Sequence, residues 1–195
     1  MEFKQSETCL NLMRAYAGEC QAYTRYLFYG RIAHKEGFKE LEILFNETAA
    51  NEEAHAKIYF DLLYKNIGTA SVPVNAEYPV HISKTADNLK HSAESENEEH
   101  TIVYPAFAKK AEEEGFKQPA KHFQMIAEIE AHHEERFNRY LDQLATNTLF
   151  SRSEDVYYRC LICGHVHKCA EAPKICPNCF HPQGFFEIIP YPSVL

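Results

Sequence analysis

The sequence predicts an all-α four-helix bundle followed by a small C-terminal metal-binding domain of short β-strands and cysteine knuckles. Three observations predict it. Residues 1–147 are rich in helix-forming residues, with few breakers inside long runs. Part of that region repeats itself after 78 residues, and five of the seven cysteines lie beyond residue 155.

The composition limits the class of protein. With 195 residues, the chain can form one sizeable helical core and a small second domain. A formal net charge of −8 argues against a broad surface for nucleic acid or for an anionic membrane. The N-terminus, MEFKQSETCL, lacks a basic region followed by an apolar run, and no apolar stretch approaches the ~20 residues that span a bilayer. We therefore expect a cytoplasmic protein without nucleic-acid or membrane partners.

Glycines and prolines divide the helical region into four helices. Gly37 separates the first helix from the second, and Gly115 separates the third from the fourth. Between these pairs, residues 67–82 (IGTASVPVNAEYPVHI) predict a long crossover. After residue 147, aromatic residues, proline and cysteine replace the helix formers. The predicted domains are a bundle over 1–147, a linker over 148–155 and the metal-binding domain over 156–195.

The helical region consists of two related halves. Residues 36–39 (EGFK) recur as residues 114–117. The same shift relates three pairs of potential metal ligands: Glu52 with Glu130, His55 with His133 and, to within one residue, Glu19 with Glu96. Each half is therefore expected to be a helical hairpin, with a Glu on its first helix and Glu-x-x-His on its second. The crossover joins the hairpins into a bundle.

Each predicted helix carries a Glu on its buried face, where core positions recur at alternating steps of three and four residues. The four buried stripes are Cys9, Leu12, Tyr16, Glu19, Tyr23, Tyr26, Gly30 and Ala33; Phe38, Leu41, Phe45, Thr48, Glu52, His55, Tyr59 and Leu62; Leu89, Ala93, Glu96, His100, Val103, Phe107 and Ala111; and Phe123, Ile126, Glu130, His133, Phe137, Tyr140 and Leu144. A lone Glu on such a stripe usually reaches solvent at the edge. Four corresponding carboxylates predict bound cations, because burying an unpaired charge costs several kcal/mol.

The Glu-x-x-His spacing places both side chains on one helix face, one turn apart. The pair can bind one metal while the second carboxylate oxygen reaches another. Carboxylate-rich ligation with one or two histidines suits iron or manganese. A Glu from each of two helices and Glu-x-x-His from the other two is the pattern of ferritin-like dimetal proteins.

The C-terminal cysteines predict a second metal site. Two Cys-x-x-Cys pairs, Cys160 with Cys163 and Cys176 with Cys179, predict a tetrahedral four-thiolate site. The metal is zinc in a structural ribbon or iron in a one-electron carrier, and the spacing alone slightly favours zinc. Cys169 lies outside both pairs and is predicted to be a free thiol. An odd number of cysteines without a secretion signal indicates thiols and metal ligands, not disulfides.

Together, the two regions resemble the rubrerythrin family over nearly the whole chain. Five fragments carry the resemblance: AGECQAYTRY (17–26), NEEAHA (51–56), NLKHSAESENEEHTIVYPAFA (88–108), EIEAHHEERF (128–137) and the C-terminal knuckles with their Cys-Pro-x-Cys. The resemblance implies a ferritin-like bundle with a diiron centre and a rubredoxin-like domain with one iron. It also implies a peroxidase that reduces hydrogen peroxide to water in oxidative-stress defence. Ser95 and Val103 depart from common family residues, but neither removes a ligand.

Carried over by motif, the resemblance implies a role for each bundle ligand. Glu52 and Glu130 would bridge the two irons. Glu19 would be a terminal ligand of the first iron. Glu96 and His133 would bind the second.

The resemblance further implies a position that switches with redox state, where the first iron takes Glu99 when oxidised and His55 when reduced. Tyr26 and Tyr104 match tyrosines beside the diiron centre. The rubredoxin ligands are matched by Cys160, Cys163, Cys176 and Cys179. This match favours iron over zinc in the thiolate site.

Helical phase divides the acidic run ESENEEH. Glu96 lies on the buried stripe and Glu99 lies one turn further on the same face, so these two are the predicted ligands. Glu94 and Glu98 point away and are expected to be solvated. His100 is on the stripe, but it matches no family ligand and is expected beside the site or in the core.

The implied partners are hydrogen peroxide, an electron-donating reductase or rubredoxin, and further copies of the chain in a homodimer or larger homo-oligomer. One alternative is a ferritin-like oxidase or ferroxidase acting on oxygen and ferrous iron, which the appended electron-transfer domain disfavours. Another is a zinc-ribbon interaction protein on an inert bundle, against which the inward glutamates argue. Cys9 and Cys20 are expected to be small buried hydrophobic residues.

Overall fold

The structure is a computed structural model that describes residues 2–190. They form a helical bundle followed by a small β-sheet domain. The helices are α1 (Glu7–Lys35), α2 (Lys39–Ile67), α3 (Thr85–Glu98), α4 (Tyr104–Glu113) and α5 (Lys117–Ala145). The strands are β1 (Ser151–Cys160), β2 (Val166–Glu171) and β3 (Phe186–Ile189). Within residues 2–190, no helix is both long and apolar enough to cross a membrane.

A π-helical segment, Glu99–Val103, joins α3 to α4, so these two helices together occupy the place of the predicted third helix. The predicted four-helix bundle is thus confirmed. The predicted stripe of the third helix is wrong at His100, Val103 and Phe107, whereas Ala111 is buried as predicted. Val103 and Phe107 are only half-buried, whereas Tyr104 and Ala108 are buried instead. The wider π turn accommodates an extra residue and moves the buried face by one position.

The two hairpin turns have the same backbone conformation. Gly37 has φ 83° and Gly115 has φ 85°, in the left-handed region that favours glycine after a helix. The amide of Phe38 donates to the Ala33 carbonyl at 2.8 Å, and the amide of Phe116 donates to an equivalent carbonyl, also at 2.8 Å. The repeated sequence therefore produces a repeated helix stop.

Each hairpin also binds the first helix of the other hairpin through a glutamate at its turn. The Glu114 carboxylate accepts hydrogen bonds from the amides of Glu7 and Thr8, at 3.1 and 2.9 Å. The Glu36 carboxylate accepts one from the amide of Thr85, at 3.1 Å. These carboxylates satisfy amides in the first turns of α1 and α3, which have no partner within their own helices.

Two apolar clusters form the bundle core. One includes Tyr26, Phe45 and Phe137, and the other includes Leu12 and Phe123. On each helix the stripe glutamate lies between residues of the two clusters along the chain. The apolar packing therefore leaves a polar layer across the middle of the bundle.

The C-terminal domain is an antiparallel sheet with strand order β2-β1-β3. It packs against the α1–α2 turn, where a Cβ added to Gly184 would lie 1.6 Å from the Gly37 carbonyl oxygen. The predicted domain limits stay a prediction. In the structure, β1 already begins inside the segment assigned to the linker. Residue 1 and residues 191–195 of the predicted domains lie outside the described residues.

Candidate metal centres

Four glutamates meet in the polar layer of the bundle, one from each of α1, α2, α3 and α5. Glu19, Glu52, Glu96 and Glu130 are each at most 2% exposed. Ionised carboxylates at this depth carry a large desolvation cost and repel one another. Their convergence therefore requires compensating positive charge.

The potential ligands form two overlapping groups, each with its donor atoms within 4.8 Å of one another. The first group is Glu19, Glu52, His55 and Glu130; the second is Glu52, Glu96, Glu130 and His133. Glu52 and Glu130 belong to both groups. This arrangement provides two adjacent cation positions with two shared carboxylates.

Both histidines present Nδ1 to the shared carboxylates. His55 Nδ1 lies 2.9 Å from Glu52 Oε2 and 2.9 Å from Glu130 Oε1. His133 Nδ1 lies 2.6 Å from Glu130 Oε2 and 3.2 Å from Glu52 Oε1. On the far side of its ring, His133 Nε2 lies 3.2 Å from Asn51 Oδ1. If Nε2 carries the proton and donates to Asn51, Nδ1 keeps its lone pair for a metal.

Several of these buried atoms have no well-aligned hydrogen bond among the described residues. They are both carboxylate oxygens of Glu130, Oε1 of Glu52 and Nδ1 of His133. Buried polar atoms normally have a partner. Cations between the carboxylates and the imidazoles would satisfy all four atoms, so the residues fit a dimetal centre.

The pKa shifts report the same crowding of charge. Burial raises the pKa of Glu19 and of Glu96 well above the ordinary value, and the charges of Glu52 and Glu130 raise it further. Burial acts in the same direction on Glu52, but hydrogen bonds from the two histidines outweigh it and lower its pKa to about 2.

The histidines compensate in the opposite sense. Burial lowers the pKa of each imidazole, but the Glu130 and Glu52 carboxylates beside each Nδ1 outweigh it and raise the pKa of His55 to about 10 and that of His133 to about 9. The neighbouring carboxylates thus favour the protonated form of both imidazoles. Metals must displace these protons in order to bind.

The two predicted tyrosines lie beside the carboxylates. Tyr26 donates its hydroxyl hydrogen to Glu96, and Tyr104 donates to Glu19. Burial, together with the neighbouring carboxylate charge, raises the pKa of each phenol well above its usual value. Both hydroxyls therefore keep their protons and orient the carboxylates of Glu96 and Glu19.

Glu99 lies outside the two ligand groups and is half-buried in the π segment. Burial and the charges of Glu130 and Glu52 raise the pKa of Glu99 to about 8, against the lowering effects of Arg25 and His55. The structure thus places the imidazole, not the Glu99 carboxylate, in the first ligand group.

Among the other residues of the acidic run, Glu94 and Glu98 lie as helical phase predicted, whereas His100 is less buried than predicted. Glu94 and Glu98 are exposed. His100 is half-buried, and its Nε2 pairs with Glu134 at 2.6 Å.

The four C-terminal cysteines form the third ligand group among the described residues, with their sulfurs within 4.8 Å of one another. The distances from Cys160 Sγ to Cys179 Sγ and from Cys163 Sγ to Cys176 Sγ are 3.6 and 3.7 Å. The two knuckles have matching hydrogen bonds. Cys160 donates its amide to the His165 carbonyl, and Cys176 to that of His181, each at 2.8 Å. This geometry fits one tetrahedrally coordinated metal ion.

The remaining cysteines differ from one another. Cys169 Sγ donates to the Glu171 carbonyl at 2.8 Å and lies outside the thiolate group. Cys9 is fully buried, as predicted. The prediction for Cys20 is wrong, because its side chain is exposed. One residue after Glu19, it is rotated by about 100° from the buried face.

Sequence reasoning missed two residues near the bundle centre. Arg25 is only 7% exposed, lies with its guanidinium 5.5 Å from the Tyr26 ring centroid and lowers the pKa of Glu99. Asn51 accepts from His133 although its own side chain is largely exposed. The only available signal was their position beside motif residues, in AYTRY and NEEAHA.

Comparison with protein families gives two matches. The family model described as rubrerythrin matches residues 11–141, and the model of the rubrerythrin rubredoxin-like domain matches residues 158–187. Rubrerythrin-1 of Clostridium acetobutylicum is 44% identical over 187 residues, covering 95% of this chain and 96% of that protein. A rubrerythrin of Porphyromonas gingivalis is 43% identical over 185 residues, covering 94% and 90% of the two chains.

Solved structures agree with these sequence matches. Fully reduced, all-ferrous nigerythrin superposes with a TM-score of 0.64 at 31% identity, over 93% of this chain and 86% of that one. A Desulfovibrio desulfuricans bacterioferritin has a TM-score of 0.67 at 18% identity, over 75% and 85% of the chains, which shows the ferritin-like fold alone.

The Glu/His cluster therefore corresponds to a diiron-carboxylate site, and the four-cysteine group corresponds to a rubredoxin-like iron site. With both of its domains matched and relatives similar over nearly their whole length, this chain belongs to the rubrerythrin family.

Proposed function

We propose that this protein is a peroxidase that reduces hydrogen peroxide to water in defence against oxidative stress, with electrons supplied through the rubredoxin-like iron. The observation that carries the proposal is the pair of ligand groups sharing Glu52 and Glu130, on the same chain as a four-thiolate site. When bound, a diiron pair supplies the two electrons that convert one hydrogen peroxide and two protons into two waters, and a tetrathiolate iron restores them singly.

Each ligand group has a proposed role. Glu52 and Glu130, which belong to both groups, would be shared by the two irons. Glu19 and the switching position would complete the first metal site. Glu96 and His133 would complete the second.

At the switching position, we assign His55 to the reduced centre and Glu99 to the oxidised one. The arrangement of His55 inside the first ligand group and Glu99 outside it supports the reduced assignment. Exchange of a neutral imidazole for an anionic carboxylate would compensate the positive charge that oxidation of bound iron adds. Glu99 has its pKa raised by burial and by the charges of Glu130 and Glu52. Glu99 is the proposed proton donor to the peroxide oxygen that leaves as water.

Electron delivery is proposed to occur between subunits. The thiolate domain packs on the α1–α2 turn at Gly37, which follows Glu19 by 18 residues. At about 1.5 Å per residue, this separation is roughly 27 Å along the helix. Because electron transfer slows steeply with distance, a homodimer that brings one chain's thiolate site to the other chain's diiron centre is the better route. A reductase or a rubredoxin is the proposed donor, in a cytoplasmic setting that keeps the thiols reduced.

The test is rapid mixing of the fully reduced protein with hydrogen peroxide without oxygen, and separately with oxygen. We expect peroxide to reoxidise the protein much faster than oxygen does, followed by reappearance of the red ferric tetrathiolate absorption. Faster reoxidation by oxygen, or accumulation of ferric iron beyond the bound complement when ferrous iron is added, would instead identify the oxidase or ferroxidase alternative.

A further inference from the structure

The crossover between α2 and α3, residues 68–84, lies across the bundle as an extended strap. It is fastened to α1 by two hydrogen bonds of Arg14 and, nearer α3, by one from the Tyr29 hydroxyl to the His81 carbonyl. The Arg14 carbonyl accepts a hydrogen bond from the Tyr78 hydroxyl at 2.7 Å, and Arg14 Nε donates to the Asn75 carbonyl at 3.3 Å. The Arg14 guanidinium is itself held by Glu7 and by Asn11. The strap is thus clasped in a defined position on α1.

Beneath the clasp is a cleft of about 490 Å³ between α1, the strap and the α3–α4 helix. Its lining includes Gly18 and Tyr78 near the strap and Glu99 and Tyr104 on the bundle side. Tyr104 donates to Glu19, a member of the first ligand group. The cleft therefore reaches the side of the diiron centre where His55 and Glu99 are proposed to exchange.

Tyr78 narrows this cleft. Its Cε1 lies 3.5 Å from where a Cβ on Gly18 would be, so glycine leaves room for the ring directly beside Glu19. The ring is half-buried, and the Glu99 charge acts on its hydroxyl. A larger residue at position 18 would push into the passage, and a smaller one at position 78 would widen it.

The charged residues around the cleft also discriminate between molecules by their charge. Three glutamates line it in addition to Glu99: Glu77, Glu94 and Glu98. Arg14, which lines it too, is paired with Glu7. This acidic lining repels anions but leaves neutral hydrogen peroxide unaffected, and it attracts ferrous ions.

We propose that this cleft is the access route to the diiron centre, and that Tyr78, clasped by Arg14 over Gly18, restricts it to small neutral hydroperoxides and to metal ions. The substrate part of this inference rests on the peroxidase proposal. Tyr78 acts here as a specificity-determining residue and takes no part in the chemistry. Bulky hydroperoxides, which would be reduced to the alcohol and water by the same two electrons and two protons, are excluded by size.

Two measurements on the iron-loaded protein test the route. The first is the ratio of kcat/KM for cumene hydroperoxide to that for hydrogen peroxide. We expect Tyr78→Ala to raise this ratio by about tenfold or more, because loss of one contact in a pocket typically changes selectivity by at least that factor. The second needs no turnover: it is the rate at which ferrous iron leaves the reduced bundle site for a bulky sulfonated phenanthroline that cannot enter the cleft. Tyr78→Ala is expected to speed this release, and Gly18→Val to slow it.

Val74→Ala is the matched control, because Val74 is an exposed residue of the same strap outside the cleft lining. It should change neither measurement. Tyr78→Phe keeps the ring and removes only the hydrogen bond to Arg14, so it should give a smaller change in the same direction. If Tyr78→Ala fails to fold, Tyr78→Phe provides the test in its place.

An unchanged hydroperoxide ratio or an unchanged release rate in the Tyr78 variants would overturn the route. If the wild-type protein instead fails to turn over hydrogen peroxide at all, the peroxidase proposal fails while the iron-release measurement still tests the cleft.

Discussion

The carboxylate centre draws its ligands from four helices over residues 19–133, whereas the thiolate centre takes all of its ligands from residues 160–179. The carboxylate ligands are fully buried between two apolar clusters, and the thiolate site is partly open to solvent. In the bundle, packing of four helices between two apolar clusters positions the ligands, so the apolar core is separate from the site. In the small domain, the metal is itself part of the core.

The largest expected difference concerns metal removal. The core of the C-terminal domain is Tyr158, Cys160, Ala172, Cys176 and Phe186, so two of its members are metal ligands. Domains of only about 40 residues usually need a metal or a disulfide to fold. Cys176→Ser should therefore lower amide protection throughout β1–β3 by about 100-fold or more while α1 and α2 stay protected.

Hydrogen–deuterium exchange measures this difference residue by residue. Cys169→Ser removes a thiol outside the ligand group and is the control. If the sheet amides stay protected without the metal, the C-terminal domain does not depend on its metal for folding, and this difference between the two centres disappears.

The next effect is on metal content. Glu130 belongs to both bundle groups, so Glu130→Ala should remove both bundle irons and leave the tetrathiolate iron in place. Glu134→Ala, one turn further on the same helix and partly exposed, should retain all of them. Iron analysis together with the visible spectrum distinguishes these results. Retention of a stoichiometric bundle iron in Glu130→Ala would show that the two sites do not depend on a shared carboxylate.

A smaller effect is expected on turnover alone. Glu99→Ala should slow peroxide reduction by about 100-fold, the lower range for loss of a proton-transferring group. Ferrous iron binding should be largely unaffected, since Glu99 lies outside both ligand groups. Stopped-flow turnover and ferrous titration measure the two quantities, with the exposed neighbour variant Glu98→Ala as control. Unchanged turnover would exclude a role for this carboxylate in the reaction.

The smallest effect concerns a single hydrogen bond. Tyr104→Phe removes the hydroxyl that donates to Glu19, worth about 1 kcal/mol or roughly fivefold in rate. Because burial raises the pKa of Tyr104 well above the usual value, the hydroxyl stays protonated as pH rises. The wild-type to variant ratio of kcat should therefore be constant from about pH 6 to 9, below the ordinary tyrosine pKa of about 10.

Tyr29→Phe provides the matched control for that measurement. It loses a comparable bond, from its hydroxyl to the His81 carbonyl at 2.9 Å, away from the carboxylates. A ratio that falls with rising pH would show that the Tyr104 phenol ionises in this range.

Much of this arrangement follows from spacing. The repeat and the Glu-x-x-His periodicity placed Glu52, His55, Glu130 and His133 on facing stripes, because helical phase is fixed by sequence separation. The two Cys-x-x-Cys pairs are local and were equally readable. Those predictions needed no knowledge of how the elements pack.

Two features were not predicted: the change of helical phase at the π segment, and contacts between residues of different helices. The π segment shifts the helix by one residue, and nothing in EHTIV marks it, so Tyr104 and not Val103 faces the core. Arg25 was not predicted as a buried cation, since Glu99, the carboxylate on which its charge acts, comes from the other hairpin. Residue types on a stripe predict burial, but they do not report which charges meet across it.

The reciprocal carboxylate contacts between the hairpins suggest how such a molecule arises. Glu36 and Glu114 occupy the same place in the repeat, and each binds amides at the start of the other hairpin's first helix. Two identical hairpins related by a two-fold axis would make this contact twice and would supply both halves of a symmetric dimetal centre. The present chain has the organisation of such a dimer fused into one polypeptide, with the crossover as the later join.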